Sequence, residues 1–293
     1  MFMKRLRVAD YFLTPNLPVA VLVMPSQDAM GLHRHEFAEL TIVTGGGASH
    51  LTAQGRYPIA AGDVFFVPPE QPHGFDDVHG LSLVNVLFLP GRMREIPGEV
   101  RGMAGWQALF ESEPRYRDAQ GFAGHLRLPP EELERLAMLV RELDAETRSY
   151  AKGGLALAEA LFMQLVVRLA RSYGAHASPA GRRLLAVQQA IRHIEAKHAE
   201  AVELNVLAKK AGMSLSTFKR AFKVVTGTPP IDYLLQVRLA RACHRLRETD
   251  ETVTEVALAA GFNDSNYFAR QFRARMGCTP REWRLGQGAR DTT

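Results

Sequence analysis

One stretch near the carboxyl end of this 293-residue sequence occurs twice. Residues 207–229 read LAKKAGMSLSTFKRAFKVVTGTP, and residues 256–280 read VALAAGFNDSNYFARQFRARMGCTP. Alanine, glycine and phenylalanine positions match between the copies, and each copy ends in Thr-Pro. An internal repeat of this kind is one supersecondary unit used again. Because two copies are too few for a solenoid, we expect a paired module.

Each copy has the signals of two helices separated by a glycine turn. In the second copy, Thr252 and Glu255 form a capping box, and Gly261 stands where the first helix must stop. Phe268 and Phe272 recur four residues apart, so they face inward on a second helix. This pattern predicts a helix-turn-helix, whose second helix enters the major groove of DNA.

The outer faces of the two second helices are polar and basic, which suits hydrogen bonds to bases and phosphates. The predicted DNA-binding residues are Ser216, Thr217, Lys219, Arg220, Lys223, Ser265, Asn266, Arg270 and Arg273. Residues 230–248 have the spacing of a long linking helix, which would hold the two readers one duplex turn apart, about 34 Å. Residues 182–293 carry 19 Lys and Arg against 11 Asp and Glu, whereas residues 1–181 carry 17 against 20. This asymmetry indicates a nucleic-acid module joined to something else.

The signature AxxxGFxxxxYFxxxFxxxxGxTPxxxR, from Ala257 to Arg284, resembles the AraC/XylS family of bacterial transcription regulators. The resemblance implies an all-α DNA-binding domain with two helix-turn-helix motifs joined by a long helix. It also implies that the second reader lies near the RNA polymerase sigma factor, which would make the protein an activator. Ala269 departs from the basic pattern, since it is too small to hydrogen-bond a base.

The first half of the chain has a different pattern. Residues 31–90 alternate apolar and polar positions between Gly and Pro turns, which is typical of a β-sandwich or barrel. The segments GLHRHEFAELTIVTGGG and GDVFFVPPEQPHGF resemble the two cupin motifs, although Glu70 replaces a usual glycine. The expected fold is therefore multi-domain, with a cupin-like β-barrel and a helical hairpin before the all-α domain.

Four residues of the cupin-like motifs are the predicted effector-binding set, namely His33, His35, Glu39 and His73. Their even spacing predicts that the first three share one face of a single strand, with His73 on an adjacent strand. Three imidazoles and a carboxylate also suit a divalent metal ion. Regulators that resemble cupins often keep the motif without an ion, so effector binding and metal binding both stay open.

The run VNVLFLPGRM at 84–93 resembles a sugar-responsive subgroup of the family that includes rhamnose-operon regulators. This resemblance implies that the effector is a carbohydrate. From Pro130 the periodicity becomes helical, and Gly153-Gly154 separates two helices. By resemblance this hairpin joins two copies in a homodimer; a purely intramolecular pair is the alternative.

The predicted domains follow from these patterns. They are a cupin-like effector-sensing domain at 1–128, a dimerisation hairpin at 129–172, a linker at 173–182, a double helix-turn-helix domain at 183–285 and a disordered tail at 286–293. The linker is predicted because YGAHASPAGR is small, polar and contains Gly and Pro.

Two functions compete for this layout. The first is a sequence-specific transcriptional regulator without enzymatic activity, which binds double-stranded DNA and is controlled by a small-molecule effector. The alternative is a cupin metalloenzyme fused to a DNA-binding module, although no second acid–base set accompanies its ligands. With only Cys243 and Cys278, and with neither a secretory signal nor a membrane span, we expect a cytoplasmic protein without a membrane partner.

Overall fold

The computed structural model describes residues 3–12, 19–115, 126–149 and 151–286. The chain forms two compact units, Met1–Gln188 and Gln189–Thr293. The first unit is rich in β-sheet, and the second is helical. None of the helices in the described residues has both the length and the apolar character needed to cross a bilayer.

The first unit is built on one eight-stranded sheet. Its strands are β1 (Lys4–Leu6), β2 (Val19–Met24), β3 (Met30–His35), β4 (Ala38–Thr52), β5 (Gly55–Ala60), β6 (Asp63–Val67), β7 (His73–Phe88) and β8 (Leu126–Arg127). The order is β1-β3-β7-β4-β6-β8, while β2 also pairs with β7 and β5 with β4. The long strands β4 and β7 pair with each other in antiparallel. Along its length β4 also pairs with β5 and β6, and β7 also pairs with β2 and β3.

Alternation along β4 gives this sheet two different faces. Leu40 and Ile42 belong to the core that the sheet shares with the helices of the first unit. Glu39, Thr41 and Val43 point to the opposite side, where all three are buried. Polar side chains are therefore enclosed on a face that the sheet itself covers.

The short helix α1 (Val8–Tyr11) packs with Leu6, Phe37 and Leu87 in a small separate cluster. The other helices of the first unit pack on the apolar face, namely α2 (Pro90–Glu95), α3 (Gly98–Arg101), α4 (Ala104–Trp106, continued by a π-helix at Gln107–Ser112), α5 (Pro130–Ser149) and α6 (Gly154–His176). Gly153, with a φ of +84°, makes the turn before α6. The apolar α6 contacts α5, β2, β8 and the segment from α4 through the π-helix. Much of the apolar surface of α6 is thus buried by other elements of the same chain.

The predicted linker at 173–182 is wrong. Helix α6 continues to His176, and α7 (Pro179–Ala196) begins three residues later. Tyr173 is fully buried in the core of the first unit, and Pro179 occupies the first turn, where its missing N–H costs no hydrogen bond. Small residues suggested a loop, but Gly174 and Ala175 lie on the exposed side of α6. The boundary between the units falls inside α7, after Gln188.

The second unit contains the repeated pattern as two matching helix pairs. After the end of α7 come α8 (Leu204–Lys210), α9 (Leu215–Thr226), α10 (Pro230–Glu248), α11 (Val253–Ala259), α12 (Ser265–Met276) and α13 (Pro280–Arg284). Ser214 caps α9 and Asp264 caps α12 through their side-chain oxygens. Gly227 and Gly277 end the same helices with φ values of +80° and +75°.

The second helix pair encloses an aromatic core. Phe268 and Phe272 are both 0% exposed, as the spacing predicted. Phe262 packs beside Phe268 with ring centroids 5.0 Å apart, and Trp283 lies edge-on to Phe272 at 5.9 Å. The aromatic side chains of α12 are therefore buried in this core, and the opposite face of the helix carries the polar side chains.

Candidate functional site

The predicted effector residues meet in the polar interior of the sheet. His33 and His35 lie at the end of β3, Glu39 lies on β4, and His73 begins β7. The prediction of a single strand for the first three is wrong, because the chain bends at Glu36 and Phe37 before β4. The bend nevertheless returns Glu39 to the histidines. One ligand atom from each of His35, Glu39 and His73 lies within 4.8 Å of the others.

Backbone contacts orient His35 within this cluster. Its Nδ1 lies 2.6 Å from the carbonyl oxygen of Phe37, and the imidazole stacks on the Phe37 ring at 4.7 Å. Because a carbonyl oxygen only accepts, Nδ1 carries the proton, and Nε2 keeps a lone pair in the neutral ring. Burial lowers the pKa of His35 to about 4, so the ring is neutral at pH 7.

His33 is oriented in the same way but stands slightly apart. Its Nδ1 lies 3.2 Å from the carbonyl oxygen of Gly31, which again leaves the lone pair on Nε2. Burial lowers the pKa of His33 as well. Its ring centroid lies 4.3 Å from that of His73, although its nitrogens do not join the three-residue group of ligand atoms.

Glu39 supplies the carboxylate. It is 3% exposed, and burial raises its pKa to about 7. Thr41 donates a hydrogen bond to Oε1 at 3.1 Å, while Oε2 lies 3.9 Å from His35 Nε2. The interior thus presents imidazole lone pairs beside a carboxyl group that gains or loses a proton near neutral pH. Such a set can bind hydroxyl groups or a divalent cation.

His50 belongs to the same interior, and sequence reasoning missed it. It is 1% exposed, with its ring centroid 5.8 Å from that of His73 and 4.5 Å from that of Phe65. It lies on β4 between the two cupin-like motifs. The pairing of β4 with β7 shifts register between Val43 and Ser49, so simple alternation from Glu39 does not place it. The available signal was a further histidine within the predicted strand region, between the two motifs.

Glu70, at the usual glycine position, closes one edge of the cluster. Its φ is +62°, a conformation that costs a non-glycine residue about 1–2 kcal/mol. Its backbone N–H donates to the His35 carbonyl oxygen at 2.8 Å. Its carboxylate pairs with Arg5 of β1 at 2.5 Å and with Arg34 at 3.6 Å. The side chain that replaces glycine is therefore used to hold neighbouring strands.

Basic side chains form an exposed face on the first of the two helix pairs. Ser216, Lys219, Arg220 and Lys223 of α9 are all exposed. Thr217, predicted with them, is half-buried, and its hydroxyl accepts a hydrogen bond from Ser214 Oγ at 2.9 Å. Thr217 therefore helps to cap α9, whereas the other four side chains can reach a ligand.

The second helix pair exposes a matching face on α12. Ser265, Asn266, Arg270 and Arg273 are all exposed. Arg275 is turned away, since it pairs with Asp232 of α10 at 3.1 Å. The structure thus brings the predicted side chains together as two separate polar faces, one on each pair.

Two domain families match the two units. Residues 19–166 match the AraC-like ligand binding domain, and residues 207–286 match a helix-turn-helix domain. The chain belongs to the AraC family of transcriptional regulators. All four predicted effector residues and His50 lie within the first match, and all nine predicted DNA-binding residues lie within the second.

Similar proteins align with this regulator over nearly its whole length. The HTH-type transcriptional activator RhaS of Escherichia fergusonii is 31% identical over 287 residues, which cover 98% of this chain and 99% of that protein. RhaR of Enterobacter sp. is 30% identical over 280 residues, 95% of each chain. The DNA-binding domain of AdpA, solved with a target DNA, is 31% identical and covers 36% of this chain and 95% of its own, with a TM-score of 0.33. The metalloenzyme alternative finds no support among these relatives.

Within the DNA-binding unit of the regulator, Arg238 of the linking helix α10 holds the segment that follows α7. Its Nε donates to the carbonyl oxygen of His198 at 2.7 Å and its Nη2 to that of Glu200 at 2.9 Å. The guanidinium also lies 5.9 Å from the ring centroid of Phe262 in the second helix pair. Tyr233 adds a hydrogen bond to Glu195 at 2.6 Å. These contacts join α10 to α7, to the segment after α7 and to the second helix pair.

Proposed function

We propose that this regulator is a transcription activator controlled by a carbohydrate effector bound in a cupin-like barrel. The observation that carries the proposal is the enclosed set of His33, His35, Glu39 and His73, whose oriented imidazoles suit hydroxyl groups. Phe65 and Phe75 line the same interior beside His50, so apolar ring faces are also present. The relatives named as activators support the direction of regulation.

Both helix pairs act as helix-turn-helix readers in this proposal. Arg220 and Arg270 contact base edges, for which guanine is the commonest partner of arginine. The other exposed polar side chains share base and phosphate contacts, namely Ser216, Lys219, Lys223, Ser265, Asn266 and Arg273. Helix α10 sets the spacing, so that α9 and α12 enter successive major grooves. Thr217 contributes through the cap of α9.

A divalent metal ion is a second candidate occupant of the sheet interior. The close approach of His35, Glu39 and His73 favours it, as does the backbone carbonyl that holds Nδ1 of His35, a usual support for metal-binding imidazoles. These three residues would hold the ion, which would supply a positive charge for binding effector oxygens. His33 would then remain for the effector itself.

The helical hairpin of α5 and α6 is proposed as the homodimer interface. Met138, Leu155 and Leu157 of this hairpin are 51%, 45% and 48% exposed, so these apolar side chains are accessible to a second copy. We further propose that the second reader contacts the polymerase sigma factor once it is bound to DNA. An effector shifts the regulator between states only through its different affinity for those states.

Thermal unfolding of the full chain against a panel of neutral sugars, with and without divalent ions, tests the effector assignment. A binding sugar raises the melting temperature by mass action. His35→Ala and His73→Ala should abolish that rise while DNA binding persists. His79→Ala is the matched control, because its side chain is 76% exposed. A normal sugar response in both interior variants would refute the assignment.

A further inference from the structure

A second concave site lies on the helical hairpin, outside the sheet interior. Helices α5 and α6 enclose a groove with a volume of about 560 Å³. Its lining residues are Glu132, Arg135, Leu136, Met163, Gln164, Val167, Arg168, Arg171 and Ser172. A volume in this range suits a small organic molecule. Neither the effector proposal nor the DNA-reading proposal uses this groove.

The rim of the groove carries positive charge that the groove does not neutralise. Arg135, Arg168 and Arg171 all line it and are all exposed. Within the described residues, none of the three has a carboxylate within ion-pair distance. With the Gln164 amide oxygen facing Arg168, that oxygen accepts from two guanidinium nitrogens at 2.9 and 3.2 Å, but the partner is neutral.

The carboxylate that lines the groove is already engaged. Glu132 accepts a hydrogen bond from Ser172 Oγ at 2.7 Å on one oxygen. Its other oxygen lies 3.0 Å from Nε2 of His176. Arg135 also acts on this carboxylate and helps to lower the Glu132 pKa. Because one carboxylate lines the groove beside three arginines, the groove keeps an excess of positive charge.

Electrostatic repulsion within this arginine cluster destabilises the protein when no anion is bound. Arg168 and Arg171 are three residues apart on one helix face, where like charges repel. The floor beneath them is apolar, since Leu136 is 3% exposed and Met163 and Val167 are half-buried. An anion over an apolar floor would relieve the repulsion, and guanidinium groups bind carboxylate or phosphate oxygens in pairs.

We propose that this groove binds a small organic anion, a carboxylated or phosphorylated metabolite with a compact body. The anionic group lies among Arg135, Arg168 and Arg171, and the body covers Leu136, Met163 and Val167. The regulator thereby has a second ligand site, chemically unlike the histidine interior. The site selects for negative charge, whereas the interior selects for hydroxyl groups.

Calorimetric titration of the full chain tests the site with three anions, namely citrate, glucose 6-phosphate and inorganic phosphate. Neutral glucose is the reference for binding in the sheet interior. At least one organic anion should bind more tightly than inorganic phosphate, which lacks a body for the apolar floor. The combined variant R168Q/R171Q should weaken that binding at least about tenfold, because charge-assisted hydrogen bonds are lost. Citrate against glucose 6-phosphate separates the carboxylate from the phosphate source.

Two control variants locate the bound anion. Arg141→Gln changes an exposed arginine of α5 outside the groove, and Arg220→Gln changes the DNA-reading face; both should bind the anion normally. The proposal fails if none of the anions binds, or if R168Q/R171Q binds as the wild type does. It also fails if R168Q/R171Q dissociates a dimer in sedimentation, because the arginines would then belong to a contact between copies.

Discussion

The two units of this regulator place their candidate functional side chains in opposite ways. In the sheet unit, His35, Glu39 and His73 are at most 3% exposed, and burial shifts the pKa of His35 and of Glu39. In the helical unit, Arg220 and Arg270 stand on exposed helix faces over buried phenylalanines. Substitution of these buried residues should therefore change folding as well as binding. Substitution of the exposed arginines should change binding alone.

The largest expected effect concerns the pH dependence of stability in Glu39→Gln. A carboxyl whose folded pKa of about 7 exceeds its unfolded value of about 4.5 stabilises the fold most below pH 4.5. That contribution is lost as the pH rises through 7. The neutral glutamine has no such loss, so the variant should gain stability relative to wild type from pH 5 to pH 8, by about 3 kcal/mol.

Urea unfolding of both proteins in the presence of a chelator measures this difference. His35, whose pKa is lowered to about 4, contributes the opposite pH dependence, with stability lost as the pH falls towards 4. Because His35 is present in both proteins, its contribution largely cancels in the difference. A stability difference that stays flat from pH 5 to pH 8 would contradict the burial of an ionisable Glu39.

Gly212 and Gly261 sharpen the comparison within the helical unit, since they make the same turn in different surroundings. Gly212, with a φ of +64°, has open space where a Cβ would lie. At Gly261, with a φ of +94°, a Cβ would lie 2.7 Å from Ala199 Cα and 2.8 Å from the His198 carbonyl oxygen. Gly212→Ala should cost about 1 kcal/mol of unfolding free energy, and Gly261→Ala about 2 kcal/mol more. Equal losses in denaturant unfolding would show that Gly261 does not depend on this contact.

Arg220→Ala and Arg270→Ala test the claim that exposed positions affect binding alone. Each should weaken binding to the target DNA by about 1–3 kcal/mol per lost base contact. The unfolding free energy should stay within about 0.5 kcal/mol of wild type. Fluorescence titration with target and scrambled duplexes measures both affinity and discrimination. Unchanged discrimination would remove these arginines from the base-reading set.

Lys223→Ala should have the smallest effect. If Lys223 meets a phosphate, its loss weakens binding to all sequences alike and lowers the slope of log affinity against log salt by about 1. Titrations at several salt concentrations, with target and scrambled DNA, give the slope directly. A loss confined to the target sequence would instead assign Lys223 to a base edge.

Local signals in the sequence predicted the helical unit well. The capping box of Thr252 and Glu255 and the helix stop at Gly261, whose φ is +94°, both occur as expected. Each of these interactions joins residues within one helical turn, so neighbouring letters determine them. The internal repeat also predicted that the same arrangement of two helices occurs twice.

Non-local pairing limited the prediction of the sheet unit. The motifs named histidines that the structure brings together, but the bend at Phe37 and the register shifts of β4 decide which strand carries Glu39 and where His50 lies. Similarly, the composition of 173–182 indicated a linker because it does not reveal that Tyr173 is buried. Burial and register depend on partners far away in sequence, which the local pattern does not contain.

Glu70 adopts an unfavourable backbone conformation, yet its side chain holds β1 through the ion pair with Arg5. A glycine at this position would relax the backbone, but among the described residues it would leave Arg5 with only Glu36, at 3.2 Å, as an ion-pair partner that holds β1 beside β3. Since Arg5 and Glu70 are 49% and 43% exposed, dissolved ions screen their attraction. The attachment of β1 should consequently weaken as the ionic strength rises. An apolar contact at the same place would lack this salt dependence.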